Sequence, residues 1–159
     1  MAFMKAVRPC RNPLIVLALV VMVAACARTP ASTVGGAATP GSPQEFSQTV
    51  GDRVLFTVDS SQITPTAAAT LDRQAQWLAR YPKYQVTVEG HADERGTREY
   101  NIALSARRAN AAKLYLQGKG VSPGRINTLS FGKERPVSVC DAESCWSQNR
   151  RAVTVLGGA

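Results

Sequence analysis

Residues 90–109 read GHADERGTREYNIALSARRA, and this stretch decides both how the chain folds and where its function should lie. Just before it, Tyr84, Val86 and Val88 alternate with Gln85, Thr87 and Glu89 up to Gly90, the period of a half-buried strand. His91 to Arg98 is a polar loop. From about Glu99 to Gln117 the pattern becomes helical, and Gly118 and Gly120 end it. On that helix Asn101, Leu104, Arg108 and Ala111 share one stripe. The Asn101 amide and the Arg108 guanidinium therefore lie on one side, ~10 Å apart along the axis at 1.5 Å per residue. Asp93 sits just upstream, at the Asn101 end. A carboxylate, an amide and a guanidinium converging on one mouth suit a zwitterionic ligand, because arginine takes a carboxylate bidentately and aspartate takes an ammonium. The competing reading pairs Asp93 with Arg108 as a structural salt bridge, and makes Asn101 an ordinary first-turn amide.

Outward from this stretch, RVLFTV at residues 53–58 predicts a short buried strand. Thr64-Pro65 is a capping residue followed by a first-turn proline. Ala67, Leu71, Ala75 and Leu78 then recur at helical spacing, until Tyr81-Pro82 stops the helix. Beyond the second helix, residues 126–131 and 152–156 (AVTVL) read as a third and a fourth strand. The order is β-α-β-α-β-β over residues 51–159. It predicts an α+β fold, a two-layer sandwich with a mixed four-stranded sheet and helices on one face. Trp77 and Trp146 read as packing or rim residues, and His91 as a hydrogen-bonded strand-end residue.

The N-terminal part is of another kind. Lys5, Arg8 and Arg11 precede the apolar run LIVLALVVMV at residues 14–23, and then Ala24, Ala25 and Cys26 follow. A positive segment, a short apolar run and small residues predict an export signal over residues 1–25. The run is too short to span a bilayer, which needs ~20 apolar residues in a helix. Val23-Ala24-Ala25-Cys26 looks like a bacterial lipobox, which predicts lipidation at Cys26. Several acyl chains would hold durably where one holds marginally. Ala27 is not the aspartate that tends to retain such lipoproteins in the inner membrane, so an outer-membrane anchor with the domain facing the periplasm is expected. Residues 26–50 are then the anchor and a flexible Ala/Thr/Pro/Gly/Ser tether, too poor in large apolar residues to offset the entropy of ordering.

Export also reshapes the charge. The chain carries +8, from 19 basic and 11 acidic residues. Loss of Lys5, Arg8 and Arg11 leaves 16 basic residues and a net charge of +5. A mildly basic exported protein suits an acidic lipid or a polyanionic wall polymer, whereas export and the lack of a basic run speak against nucleic acid. With Cys26 acylated, Cys140 and Cys145 remain, and in an oxidising compartment a disulfide between them is the leading reading. A zinc site would need two more ligands, and His91 is the single histidine. No cofactor or metal is expected. Nor is a catalytic residue: there is no Gly-x-Ser-x-Gly, His-Glu-x-x-His or phosphate-loop motif. Asp93 and Glu94 are the nearest approach to the carboxylate pair of a glycan hydrolase.

Gly90-His-Ala-Asp-Glu-Arg-Gly, Glu99-Tyr-Asn and Leu104-Ser-x-Arg-Arg-Ala together resemble the signature of OmpA-like domains, most closely the branch of peptidoglycan-associated lipoproteins. Phe131-Gly-Lys-Glu-Arg-Pro136 and the Trp146 to Ala152 block match later family segments in order. The resemblance spans roughly residues 51–157. It implies non-covalent binding of peptidoglycan through the diaminopimelate side chain of the stem peptide. By position, Asp93 and Arg108 match the family's main ligand contacts, and Asn101 and Leu104 match pocket-shaping residues. Asp59 and Arg151 match further contributors. It also implies TolB and the Tol complex as partners, with a role in holding the outer membrane to the wall and constricting it at division. Ala92 stands where many members have threonine, and the Cys140–Cys145 loop is not general in the family.

Overall fold

A computed structural model describes residues 38–157, so the expected export segment, Cys26 and the first part of the expected tether lie outside the described residues. Four strands form one sheet: β1 (Arg53–Leu55), β2 (Val86–Gly90), β3 (Ile126–Ser130) and β4 (Arg151–Leu156). Their spatial order is β1-β4-β2-β3. β4 runs antiparallel to both β1 and β2, whereas β2 and β3 are parallel. The sheet is mixed, as the sequence predicts. A parallel pair needs a crossover, and helix α2 (Arg98–Gly118) supplies it.

Alternation decides the inner face. Val86 and Val88 of β2 are sealed, while Thr87 and Glu89 point outward. Val54, Ala152, Thr154 and Ile126 complete the inner surface. Against it lies α1 (Pro65–Arg80), capped by Thr64, whose hydroxyl accepts from the Ala67 N–H at 3.2 Å. It buries Ala67, Leu71, Ala75, Trp77 and Leu78. Each large apolar side chain so buried contributes roughly 1.5–3 kcal/mol. Arg125 gathers the carbonyls of Leu78, Tyr81 and Tyr84 at the other end of α1. α2 lies beside α1 and meets β2 so closely that a Cβ on Gly90 would collide with the Ser105 carbonyl. That explains the glycine that ends the strand.

Three differences from the expected organisation emerge. The packed unit begins before Gly51, inside the stretch expected to be tether. Pro43–Glu45 is α-helical and Phe46–Gly51 π-helical, with Phe46 and Val50 in the core. Two apolar residues sufficed because α1 supplies polar partners: Arg73 donates to the Val50 carbonyl and Gln74 to that of Gly51. Glu45 accepts from the Trp77 indole at 2.7 Å. Second, regular β1 ends at Leu55, although the Phe56 N–H still donates to the Arg150 carbonyl. Third, a helix of seven residues, α3 (Glu143–Asn149), stands between β3 and β4. It buries only Cys145 and Asn149, so no apolar period announces it. The expected disulfide, Cys140–Cys145, is formed and straddles its start.

Candidate functional site

An open cleft of about 700 Å³, its mouth included, lies where the β1–α1 loop, the β2–α2 loop and the first three turns of α2 meet. Val58, Asp59, Asp93, Arg95, Gly96, Tyr100, Asn101, Leu104 and Arg108 line it. Five of the six residues expected to bind ligand are therefore brought together. Leu104 supplies an apolar wall and is 5 % exposed. Asn101 donates from Nδ2 to the Arg95 carbonyl at 2.8 Å and so holds the β2–α2 loop; Thr97, not Asn101, caps the helix. Asp59 occupies left-handed backbone space at φ 53°, which aspartate tolerates better than most residues. Its carboxylate accepts from the Tyr100 hydroxyl across the cleft mouth.

Arg108 and Asp93 do not pair directly. The Arg108 side chain is fully buried, and its Nε, Nη1 and Nη2 donate to the carbonyls of Ser60, His91 and Thr57 at 2.8, 2.9 and 3.2 Å. Among the described residues no carboxylate reaches within ion-pair distance of it. Burial lowers its pKa to about 10, against the opposing field of Asp93. Three of the five guanidinium N–H groups are used, so the floor of the cleft is a cation with donor capacity left over. Asp93 instead takes Arg95 in a fork, with Nη2 on Oδ2 at 2.7 Å and Nε on Oδ1 at 3.3 Å. Arg150 Nη1 reaches the same Oδ2 at 3.2 Å. Burial pushes the Asp93 carboxyl up, but the hydrogen bonds from Arg95 and Arg150 outweigh it and hold the group below its ordinary value. A carboxyl held that way suits an anion that receives cations. It does not suit a general acid, which needs a raised pKa.

Arg151, expected beside the cleft, stands elsewhere. Its Nη2 donates to the Arg135 carbonyl at 3.1 Å, and it pairs with Leu55 on the sheet face turned away from the helices. Arg150, one residue earlier, reaches Asp93. Successive residues at a strand start point to opposite sides, so the choice between two adjacent arginines turns on a register that the sequence does not show. Sequence reading also passed over Glu143, whose carboxylate binds the other edge of Arg150. Trp146 packs against the β2–α2 loop. Its indole donates to Glu94 at 2.9 Å, and the Arg95 guanidinium lies 4.2 Å over its ring. His91 is hydrogen-bonded at the strand end through its backbone alone, its N–H donating to the Arg151 carbonyl and its carbonyl accepting from Arg108; its ring stacks on Phe131, and neither ring nitrogen has a hydrogen-bond partner among the described residues. Among the described residues no group of three or more His, Cys, Asp or Glu is placed to hold a metal.

Comparison with known proteins agrees with this architecture. The model of the OmpA family matches residues 55–151. A peptidoglycan-associated lipoprotein of Rhizobium meliloti is 60% identical, over 94% of this chain and 90% of the relative. One from Brucella melitensis is 64% identical, over 78% and 74%. The crystal structure of the peptidoglycan-associated lipoprotein of Burkholderia pseudomallei superimposes with a TM-score of 0.68 at 36% identity, covering 73% of this chain and all of that one. The C-terminal domain of Helicobacter pylori MotB, at 23% identity and a TM-score of 0.64, shares the fold. A match of this breadth, over the very segments that build the cleft, places the chain in the OmpA family, among its peptidoglycan-associated lipoproteins.

Proposed function

We propose that the protein ties the outer membrane to the cell wall by binding peptidoglycan non-covalently, taking the zwitterionic end of a diaminopimelate side chain in the cleft. The observation that carries this reading is the split of charge within it. A buried guanidinium that no carboxylate pairs with among the described residues forms the floor, and a carboxylate held in its anionic form stands at one side. In the bound state Arg108 would receive the distal carboxylate and Asp93 the ammonium, with Leu104 against the methylene chain and Asn101 fixing the loop. Arg95, whose side chain is 41% exposed, is the partner of Asp93 best placed to yield.

Co-sedimentation of residues 38–159 with diaminopimelate-type sacculi tests this. The parent should pellet, while Asp93→Ala and Arg108→Lys, the latter keeping the charge but losing the fork, should stay in solution. A parent that remains in the supernatant would sink the wall-binding reading and turn attention to a protein ligand.

The anchor and the partners belong to the same proposal. Lipid on Cys26 would hold the chain in the outer membrane, with the residues between Cys26 and the helical turn at Pro43 giving reach and the domain facing the periplasm. Cys26→Ser should then move the protein from the membrane fraction to the soluble one, and unchanged fractionation would count against lipidation. TolB and the Tol complex follow as partners from the family, with support of the envelope during constriction as the consequence. Co-purification of TolB from solubilised membranes separates that role from purely structural tethering.

A further inference from the structure

Arg150 lies between two carboxylates, and the second of them belongs to no part of the cleft. The residue is 4 % exposed, and its guanidinium is fixed on three sides. Nε donates to the Phe56 carbonyl at 3.2 Å, Nη1 to Asp93 Oδ2 at 3.2 Å and to Glu143 Oε2 at 3.3 Å, and Nη2 to Glu143 Oε1. Glu143 opens α3 inside the disulfide-closed loop, and its side chain is 59% exposed. The hydrogen bonds from Arg150 lower its pKa from the ordinary carboxylate value. Asp93 already receives both Arg95 and Arg150. Two full positive charges on one carboxylate would leave it little pull on a third cation.

We infer that Glu143 is a positioning residue for the ligand's ammonium. By taking Nη2 of Arg150 and sharing Nη1, it offsets that guanidinium's charge beside Asp93 and leaves the corner enough net negative charge to accept an ammonium group. It does so without touching the ligand. The inference rests on the diaminopimelate reading above and names the residue that sets the cleft's selectivity for a zwitterion over a simple anion. In the same frame Trp146, on the next turn of α3, holds Glu94 and supports Arg95, so one short helix steadies the whole Asp93-Glu94-Arg95 corner.

The test uses the detergent-solubilised full chain, titrated with two tripeptides. One is L-Ala-γ-D-Glu-meso-diaminopimelate. The other carries 2-aminopimelate, which keeps the distal carboxylate and lacks the distal ammonium. Glu143→Gln keeps a hydrogen-bond acceptor for Arg150 and removes the charge. It should weaken the diaminopimelate tripeptide by about fivefold, the scale of a partly exposed ion pair, and leave the aminopimelate tripeptide unchanged. Glu143→Asp should restore most of the loss, and the gap should narrow at high salt. Equal weakening of both tripeptides would mean that Glu143 acts only through loop structure, and overturns the inference. So does a Glu143→Gln variant that binds as the parent does. If the parent binds neither tripeptide, the stem-peptide reading falls and the inference falls with it.

Discussion

The two long helices lie side by side on one face of one sheet, yet they bury different chemistry. α1 presents Ala67, Leu71, Ala75 and Leu78 to the core, with Gln74 the one buried polar residue on the helix. α2 buries Leu104, Ala109, Ala112 and Leu116 in the same way, but its first half also buries Asn101, Ser105 and Arg108. Burying an arginine to form a core is a poor solution, because taking the charge out of water costs several kcal/mol after relaxation. α2 accepts that cost where three backbone carbonyls surround the guanidinium. The contrast separates a helix that holds the sheet from one that holds the sheet at one end and a ligand site at the other.

The strongest way to break this contrast is to truncate one buried residue on each helix. Arg108→Ala leaves one buried carbonyl, that of His91, and two part-buried ones, those of Ser60 and Thr57, without their donor and is expected to cost about 3–5 kcal/mol in denaturant melts, with loss of sacculus binding as well. Leu78→Ala should cost about 3 kcal/mol through its cavity. The folded Leu78→Ala protein should pellet with sacculi as the parent does. If it binds weakly while folded, α1 is not merely structural and the division between the helices fails.

A smaller effect sharpens the picture around Arg108. The His91 carbonyl accepts from Arg108, and its buried ring lies close enough to Arg151 and Arg135 to feel both charges. Burial first, and then those two charges, lower the ring's pKa from 6.5 to about 4; Glu89, 3.8 Å away, opposes them too weakly to reverse the shift. Between these values only the unfolded chain takes up the proton. Stability should therefore be full above pH 6.5, fall as pH drops toward 4 and level off below, by at most about 3 kcal/mol. Urea melts at pH 7.5 and 4.5 should show the fall, and His91→Phe should remove most of it. An unchanged slope in that variant would assign the pH dependence to the carboxylates.

The smallest effect concerns the loop that carries α3. Closing six residues with a disulfide contributes about 2 kcal/mol in the chain-entropy picture. The loop has a second fastening, because Asn149 accepts from the Val137 and Ser138 N–H groups and donates to the Ser138 carbonyl at 2.7 Å. Reduction of Cys140–Cys145 should therefore lower the melting temperature by several degrees and leave sacculus binding close to that of the oxidised protein. A large loss of binding on reduction would show that Asn149 alone does not keep Glu143 and Trp146 in place.

Much of this molecule was legible before any coordinate. Alternation over residues 84–89, helical spacing over 67–78, the Thr64-Pro65 cap and the glycines after residue 117 are local signals, and the elements they mark sit within two residues of the expected bounds. The stripe of Asn101, Leu104 and Arg108 was legible for the same reason, since helical geometry alone puts those residues on one side. What stayed hidden depended on distance through space. The N-terminal turns pack because Arg73, Gln74 and Trp77, 23 to 32 residues away in sequence, supply their partners. Arg150 rather than Arg151 reaches Asp93 because of a strand register, and its bond to the Phe56 carbonyl spans 94 residues. The chain by itself determined the four strands, the two long helices and five of the residues that meet at one mouth, because periodicity is a local property. Only the tertiary structure decided which charges neutralise one another there, because long arginine side chains choose partners by geometry that no spacing in sequence records.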